Sequence, residues 1–333
     1  MRFFCLRLGG YIRQLIIENQ SSTNLTLHAE ETDSITSTTS RWYRTCIMTR
    51  IAFALLFIAT VAMWRPASAQ HDATINTHMK SRTIVFIHGL FQNPKSWETW
   101  EAFFKQAGYK CYAPAYPYHE GEPANLREHP DPRLKKLTYL QVVDYLAAFI
   151  DSLPEKPIII GHSIGGQMVQ NLLAMGKAEA AIAINPAPTR GLMSFKWSFY
   201  RANMPTINPM AGNSVCMPNV DWFHYAFCNT MTLEETRTAY EEYFVPESRN
   251  IPRTSRSKEA AIDFAKPHLP LLIVAGEKDH IIPASLNKKN YEAYKDTGSV
   301  TDFRVFPGRT HFICSQPGWE EVATYVKEWI EKN

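Results

Sequence analysis

The sequence predicts an α/β protein built on a mostly parallel sheet with helices on both faces, and three observations predict it. Short β-rich runs recur at about 83–88 (TIVFIH), 109–115 (YKCYAPA), 157–162 (PIIIGH), 179–184 (AEAAIA), 269–275 (LPLLIVA) and 301–306 (TDFRVF). Longer amphipathic segments lie between them, near 95–107, 138–153, 164–175, 284–296 and 318–332. The central runs are apolar at successive positions, the mark of strands buried on both faces, and strands that alternate with helices read as parallel. In the segment at 138–153, Leu140, Val143, Leu146, Ala147 and Ile150 fall at helical spacing, which predicts a packed stripe.

The front of the chain reads differently. Residues 48–69, MTRIAFALLFIATVAMWRPASA, have a basic start at Arg50, an apolar run from Ile51 to Trp64 and a small-residue end at Ala67-Ser68-Ala69. That is the three-part pattern of a secretory signal, with cleavage expected before Gln70. The apolar run is short for a membrane span, so no stable span is expected after cleavage. Residues 1–47 read as an upstream extension, non-native or disordered, with Met48 as the expected start. The mature chain, 70–333, is expected to be exported, either to a periplasm or outside the cell.

A chain of 333 residues with 45% apolar content can bury a sizeable core. The formal charge of +3 belongs to the front: residues 1–69 carry seven Arg, no Lys and four acidic residues, leaving 28 of each sign beyond. A neutral body without a basic run excludes an electrostatic case for nucleic-acid binding. Removing the front leaves Cys111, Cys216, Cys228 and Cys314. In an oxidising compartment the close pair Cys216 and Cys228 is the favoured disulfide, with free thiols as the alternative. Their spacing matches no zinc site, and His119, His129, His224 and His268 are scattered, so neither metal nor cofactor is expected.

Residues 187–255 break the alternation. The segment is rich in aromatics, with FKWSFY at 195–200, DWFHYAF at 221–227 and AYEEYF at 239–244. A structureless stretch of that length is improbable in a compact domain, so a mostly helical insertion is expected. Its aromatics serve either as its own small core or as the apolar underside of a lid.

The chemistry centres on GHSIG at 161–165. A G-x-S-x-G arises by chance in about one chain in ten of this length, so the pentapeptide alone is weak. Its context is stronger: a strand ends at the serine and a helix begins there. Gly161 and Gly165 remove the Cβ atoms that would clash as the backbone folds back around Ser163. The helix N-terminus aims backbone N–H groups where an oxyanion would form. A serine hydroxyl needs a base, and the base needs an orienting acid. Asp279 follows the strand LPLLIVA and His311 follows TDFRVF, both at the sheet edge that carries Ser163. Glu277 is a rival acid two residues early. His280 has only its adjacency to Asp279 in its favour.

With HGLF at 88–91, GHSIGG at 161–166, GEKDHIIP at 276–283 and GRTHF at 308–312, the chain from about Arg82 onward resembles α/β-hydrolase-fold proteins of the lipase, esterase and serine haloperoxidase type. The resemblance implies Ser163 as nucleophile, Asp279 as acid and His311 as base. It also implies an oxyanion hole from the N–H groups of Ile164 and Leu90, and a lid at 187–255. His88 and His162 belong to the motif backbones, where hydrogen bonding of loops is expected rather than proton transfer. The family's opening two-strand hairpin is expected to be reduced or absent. The implied activity is hydrolysis of small-molecule esters with an apolar part. Perhydrolase or haloperoxidase-like chemistry, amide or thioester hydrolysis and a non-catalytic binder are the alternatives, because one fold hosts all of them.

Overall fold

The computed structural model describes residues 79–333. The expected extension at 1–47, the signal at 48–69, the start at Met48 and the cleavage before Gln70 lie outside the described residues. The first strand, β1 (Thr83–Ile87), leads through a tight 3-10 turn at Pro94–Trp97 into α1 (Glu98–Gln106) and β2 (Lys110–Tyr112). There follow α2 (Pro123–Glu128), α3 (Tyr139–Asp151), β3 (Ile158–His162), α4 (Ile164–Ala174) and β4 (Ala180–Ile184). The inserted segment comes next, with α5 (Trp197–Ile207), β5 (Val215–Cys216), α6 (Val220–Ala226), α7 (Leu233–Tyr243), β6 (Glu247–Ser248) and α8 (Asn250–Thr254). The chain then closes with β7 (Leu271–Gly276), α9 (Ala284–Ala293), β8 (Thr301–Phe306) and α10 (Trp319–Lys332).

Six strands form one sheet in the order β2-β1-β3-β4-β7-β8, and every neighbouring pair is parallel. The period of two sorts each strand's side chains between two cores. Ile84, Phe86, Ile158, Ile160, Ala180, Ile182, Leu272 and Val274 face Trp100 and Phe104 of α1 and Val322, Val326 and Trp329 of α10. Val85, Ile87, Ile159, Ala181, Ala183, Leu271 and Ile273 face α3 and α4. Burial on both faces is why these runs are apolar throughout.

On α3 the stripe is Tyr139, Val142, Val143, Leu146, Ala147 and Ile150. Leu140, expected inside it, is only half-buried at its margin. The helix starts with a capping box in which Thr138 and Gln141 satisfy each other's backbone N–H groups. β2 is shorter than the expected 109–115, because Pro114 and Pro117 follow it and proline offers no N–H to a ladder. No strand among the described residues precedes β1, and most of the stretch where an opening hairpin would lie, 70–78, falls outside them.

The inserted segment is helical, as expected, apart from the two-residue ladder β5–β6. Its core joins Phe223, Phe227 and Phe244 to Phe91 and Phe312 of the sheet-edge loops. The favoured Cys216–Cys228 disulfide is not formed: both residues are free thiols, as are Cys111 and Cys314. The reason is the intervening turn of helix α6, which places the two sulfurs among different neighbours. The Cys216 thiol donates to the Pro205 carbonyl at 3.5 Å, while Cys228 is buried beside Thr236. Burial pushes the Cys216 thiol up to about 11, so it stays protonated and unreactive at neutral pH.

Candidate active site

In a parallel sheet all strands end at one edge. The chain runs from β1 outward to β2 and then returns to place β3 on the other side of β1, so the loops after β1 and β3 diverge onto opposite faces. Crevices form at such a reversal, outside the carboxyl ends of the strands. His88-Gly89-Leu90-Phe91 leaves β1 and Ser163 leaves β3 at that point.

Ser163 has φ +57° and ψ −119°, in a region that side chains rarely adopt. It precedes α4 without capping it through its side chain, which leaves the hydroxyl for another partner. The turn is possible because β1 and α4 touch at Gly165. A Cβ there would lie 2.5 Å from the His88 carbonyl oxygen and closer still to that of Ile87.

The structure brings the three residues expected from the sequence together. His311 Nε2 lies 2.9 Å from Ser163 Oγ, and His311 Nδ1 lies 2.6 Å from Asp279 Oδ2. Asp279 is fixed in turn, since its Oδ1 accepts the Ile282 N–H at 2.8 Å. A carboxylate can only accept, so Nδ1 carries the proton, and Nε2 is free to take one from the serine hydroxyl. His311 is fully buried, while Ser163 keeps 6% of its surface open. The rival Glu277 lies elsewhere: its carboxylate is exposed and accepts the Gly308 N–H at 3.0 Å, the contact that holds its pKa down. His280 donates to the Tyr225 carbonyl at 2.9 Å and takes no part in the relay.

Leu90 and Ile164 line one cavity with Ser163. Among the described residues neither N–H donates to a protein acceptor, so both donors remain available. The cavity holds about 190 Å³ and is otherwise apolar near the serine, with Phe199, Trp222, Phe227, Ile281 and Ile282 in its wall. Arg256 is the one ionisable side chain other than Tyr200 among its lining residues. The aromatics of the insertion therefore fill its own core and also roof the cavity.

His88 and His162 hold loops. His88 Nδ1 donates to Gly89 O at 2.9 Å and its Nε2 accepts the Tyr116 N–H at 3.2 Å. His162 Nε2 donates to the backbone carbonyl of His311 at 2.8 Å, so it holds the loop that carries His311. Burial lowers both pKa values well below the ordinary histidine value, and nearby His119 and His311 add to the effect. A histidine lowered on folding takes up its proton only in the unfolded chain, so stability falls as pH drops below about 6.5. Each contributes up to about 1.4 kcal/mol per pH unit. His119 is raised, and its contribution acts in the opposite sense, being complete below about 6.5 and lost as pH rises. With two histidines lowered against one raised, the melting temperature at pH 5.5 is expected to be below that at pH 7.5. An equal or higher value at pH 5.5 would contradict this balance.

One contributor went unnoticed in the sequence. Asn185, just past β4, is fully buried with φ +44°. Its Nδ2 donates to Thr310 O at 3.1 Å and its Oδ1 accepts the Gly276 N–H at 2.7 Å, tying the loop of His311 to the end of the strand that precedes Asp279. The available signal was a polar residue immediately after an apolar strand, at the edge where Ser163 emerges.

The alpha/beta hydrolase family model matches residues 84–324, most of the chain, and the protein belongs to that family. Solved structures share the fold at low identity. A monoacylglycerol lipase from Paleococcus ferrophilus is 19% identical with a TM-score of 0.54, covering 75% of this chain and 94% of its own. An extracellular alpha/beta-hydrolase from a Paenibacillus species is 17% identical with a TM-score of 0.56, covering 74% and 98%. Tomato methylketone synthase I, solved with 2-tridecanone, is 14% identical with a TM-score of 0.58, covering 76% and 99%. No curated protein matches the chain in sequence.

Proposed function

We propose that this chain is an exported serine hydrolase that cleaves carboxylic esters through an acyl-enzyme on Ser163. The observation that carries the reading is the unbroken relay from Ser163 Oγ through the His311 ring to Asp279, at 2.9 and 2.6 Å. As Ser163 attacks the ester carbonyl, His311 Nε2 takes the hydroxyl proton, and Asp279 holds the ring in the useful tautomer and stabilises the imidazolium. The N–H groups of Leu90 and Ile164, the second at the positive end of α4, stabilise the oxyanion. His311 gives its proton to the leaving alcohol. Water then enters, loses a proton to Nε2 and releases the acid.

The inserted segment acts as a lid, and its apolar cavity takes the acyl group. Phe199, Trp222, Phe227, Ile281 and Ile282 in its wall favour an apolar acyl group. The names of structural neighbours add support of a general kind, since a monoacylglycerol lipase and a polyneuridine aldehyde esterase share the fold. Fold alone would not carry the reading, because methylketone synthase shares it too.

The test uses p-nitrophenyl esters of graded acyl length together with a fluorophosphonate probe and mass-spectrometric mapping. Turnover of these esters, with the label on Ser163, is expected. Absence of both turnover and labelling sinks the reading, while labelling without ester turnover moves it to amides or thioesters. Export is tested separately, by N-terminal sequencing of the mature protein for a start at Gln70.

A further inference from the structure

A buried ion pair lies close to the reaction centre without belonging to the relay. Phe91 follows Leu90, is buried, and sits at φ +64°, a left-handed conformation unusual for a large side chain. Both polar groups of its backbone are held by the inserted segment: the Phe91 N–H donates to Glu247 Oε2 at 3.4 Å, and its carbonyl accepts the Val245 N–H at 3.0 Å. Its ring stacks on Phe244 with centroids 5.3 Å apart. The residues that shape this loop thus come from the inserted segment, Glu247 from 156 positions downstream.

Glu247 is fully buried. Its Oε1 accepts the Ser248 N–H at 2.6 Å, and its Oε2 lies 3.2 Å from His119 Nε2. The other ring nitrogen, His119 Nδ1, lies 3.1 Å from the Pro117 carbonyl. A carbonyl and a carboxylate both accept, so both ring nitrogens donate and His119 is an imidazolium. Glu247 accordingly raises the His119 pKa against the burial that lowers it. Replacing a buried pair of this kind by apolar residues of equal volume is often neutral, so stability alone does not account for it, whereas position does.

We propose that Glu247 is a positioning residue for the oxyanion hole: with Val245 it clamps the Phe91 peptide and so orients the adjoining Leu90 N–H toward the reaction centre. This rests on the ester-hydrolase reading above. The inserted segment is then part of the catalytic apparatus and not only its cover, because the donor at Leu90 is placed only while the insertion is docked.

The experiment compares wild type, Glu247→Gln and Glu247→Asp on a soluble short ester, with backbone hydrogen exchange of the peptide spanning residues 88–93. Loss of a whole oxyanion donor costs about 10²–10³ in kcat, so a misplaced one is expected to cost about 10–100-fold. Glu247→Gln should show that fall with KM within about threefold of wild type and faster exchange at 88–93. Glu247→Asp should recover part of both. Should Glu247→Gln fail to fold, His119→Gln/Glu247→Gln removes both charges and is read in the same way. A kcat within twofold of wild type, or unchanged exchange at 88–93, overturns the proposal. Were wild type inactive on every ester, the reading of the site would fail by itself, and exchange alone would still decide the clamp.

Discussion

Ser163→Ala is expected to lower ester turnover by about 10⁴–10⁶-fold, the loss seen when the nucleophile of a serine relay is removed. The residual rate would come from the cavity and the two N–H donors, which the substitution leaves in place. Labelling by a fluorophosphonate should disappear with the activity, and turnover within tenfold of wild type would end the assignment. The same position makes a paired prediction about stability. At φ +57° and ψ −119° the Cβ is strained in serine and alanine alike, and glycine relieves it. Ser163→Gly is thus expected to be about 1 kcal/mol more stable than Ser163→Ala, or about 2–4 °C higher in melting temperature. Both lack the hydroxyl, so the difference isolates the backbone. Equal melting temperatures would mean that the turn is not strained.

Gly165→Ala is expected to destabilise the fold by about 3 kcal/mol or more, the upper end for overpacking, and to abolish activity. The added Cβ would meet the carbonyls of Ile87 and His88, which are backbone atoms at the end of a central strand and cannot swing aside. Separating α4 from β1 would also separate Ile164 from Leu90. Gly298→Ala is the matched control, because its added carbon meets nothing nearer than the Asp296 carboxylate at 3.6 Å. Thermal unfolding of the two variants side by side reads the difference. A Gly165→Ala protein that melts like Gly298→Ala would show that the elbow has room to relax.

The parts of this molecule that were legible in its sequence share one property: their cause is local. Ile158-Ile159-Ile160 is apolar at every position because both of its faces are covered, and that pattern needs no knowledge of its neighbours. Ser163, Asp279 and His311 stand directly after strands of a parallel sheet, so adjacency to a strand end placed all three at one edge before any contact was known. The parts that were not legible depend on partners far along the chain. Glu247 reads as an ordinary acidic residue in VPESR, and only folding sets it against His119 and Phe91. Asn185 likewise works between residues 91 and 125 positions away. Cys216 and Cys228 failed in the other direction, since nearness in sequence suggested a bond that helix α6 prevents.

The strand order also fixes when the site can exist. Ser163 and His311 are 148 residues apart, and the strands that precede Asp279 and His311 are the last two of this sheet in chain order. At about 5–20 residues per second, translation separates Ser163 from His311 by about 7–30 s. Until β7 and β8 are added, β4 has no neighbour on that side and Ser163 has no contact with His311. The contact between Ser163, His311 and Asp279 can therefore form only once the last two strands of the sheet have been added.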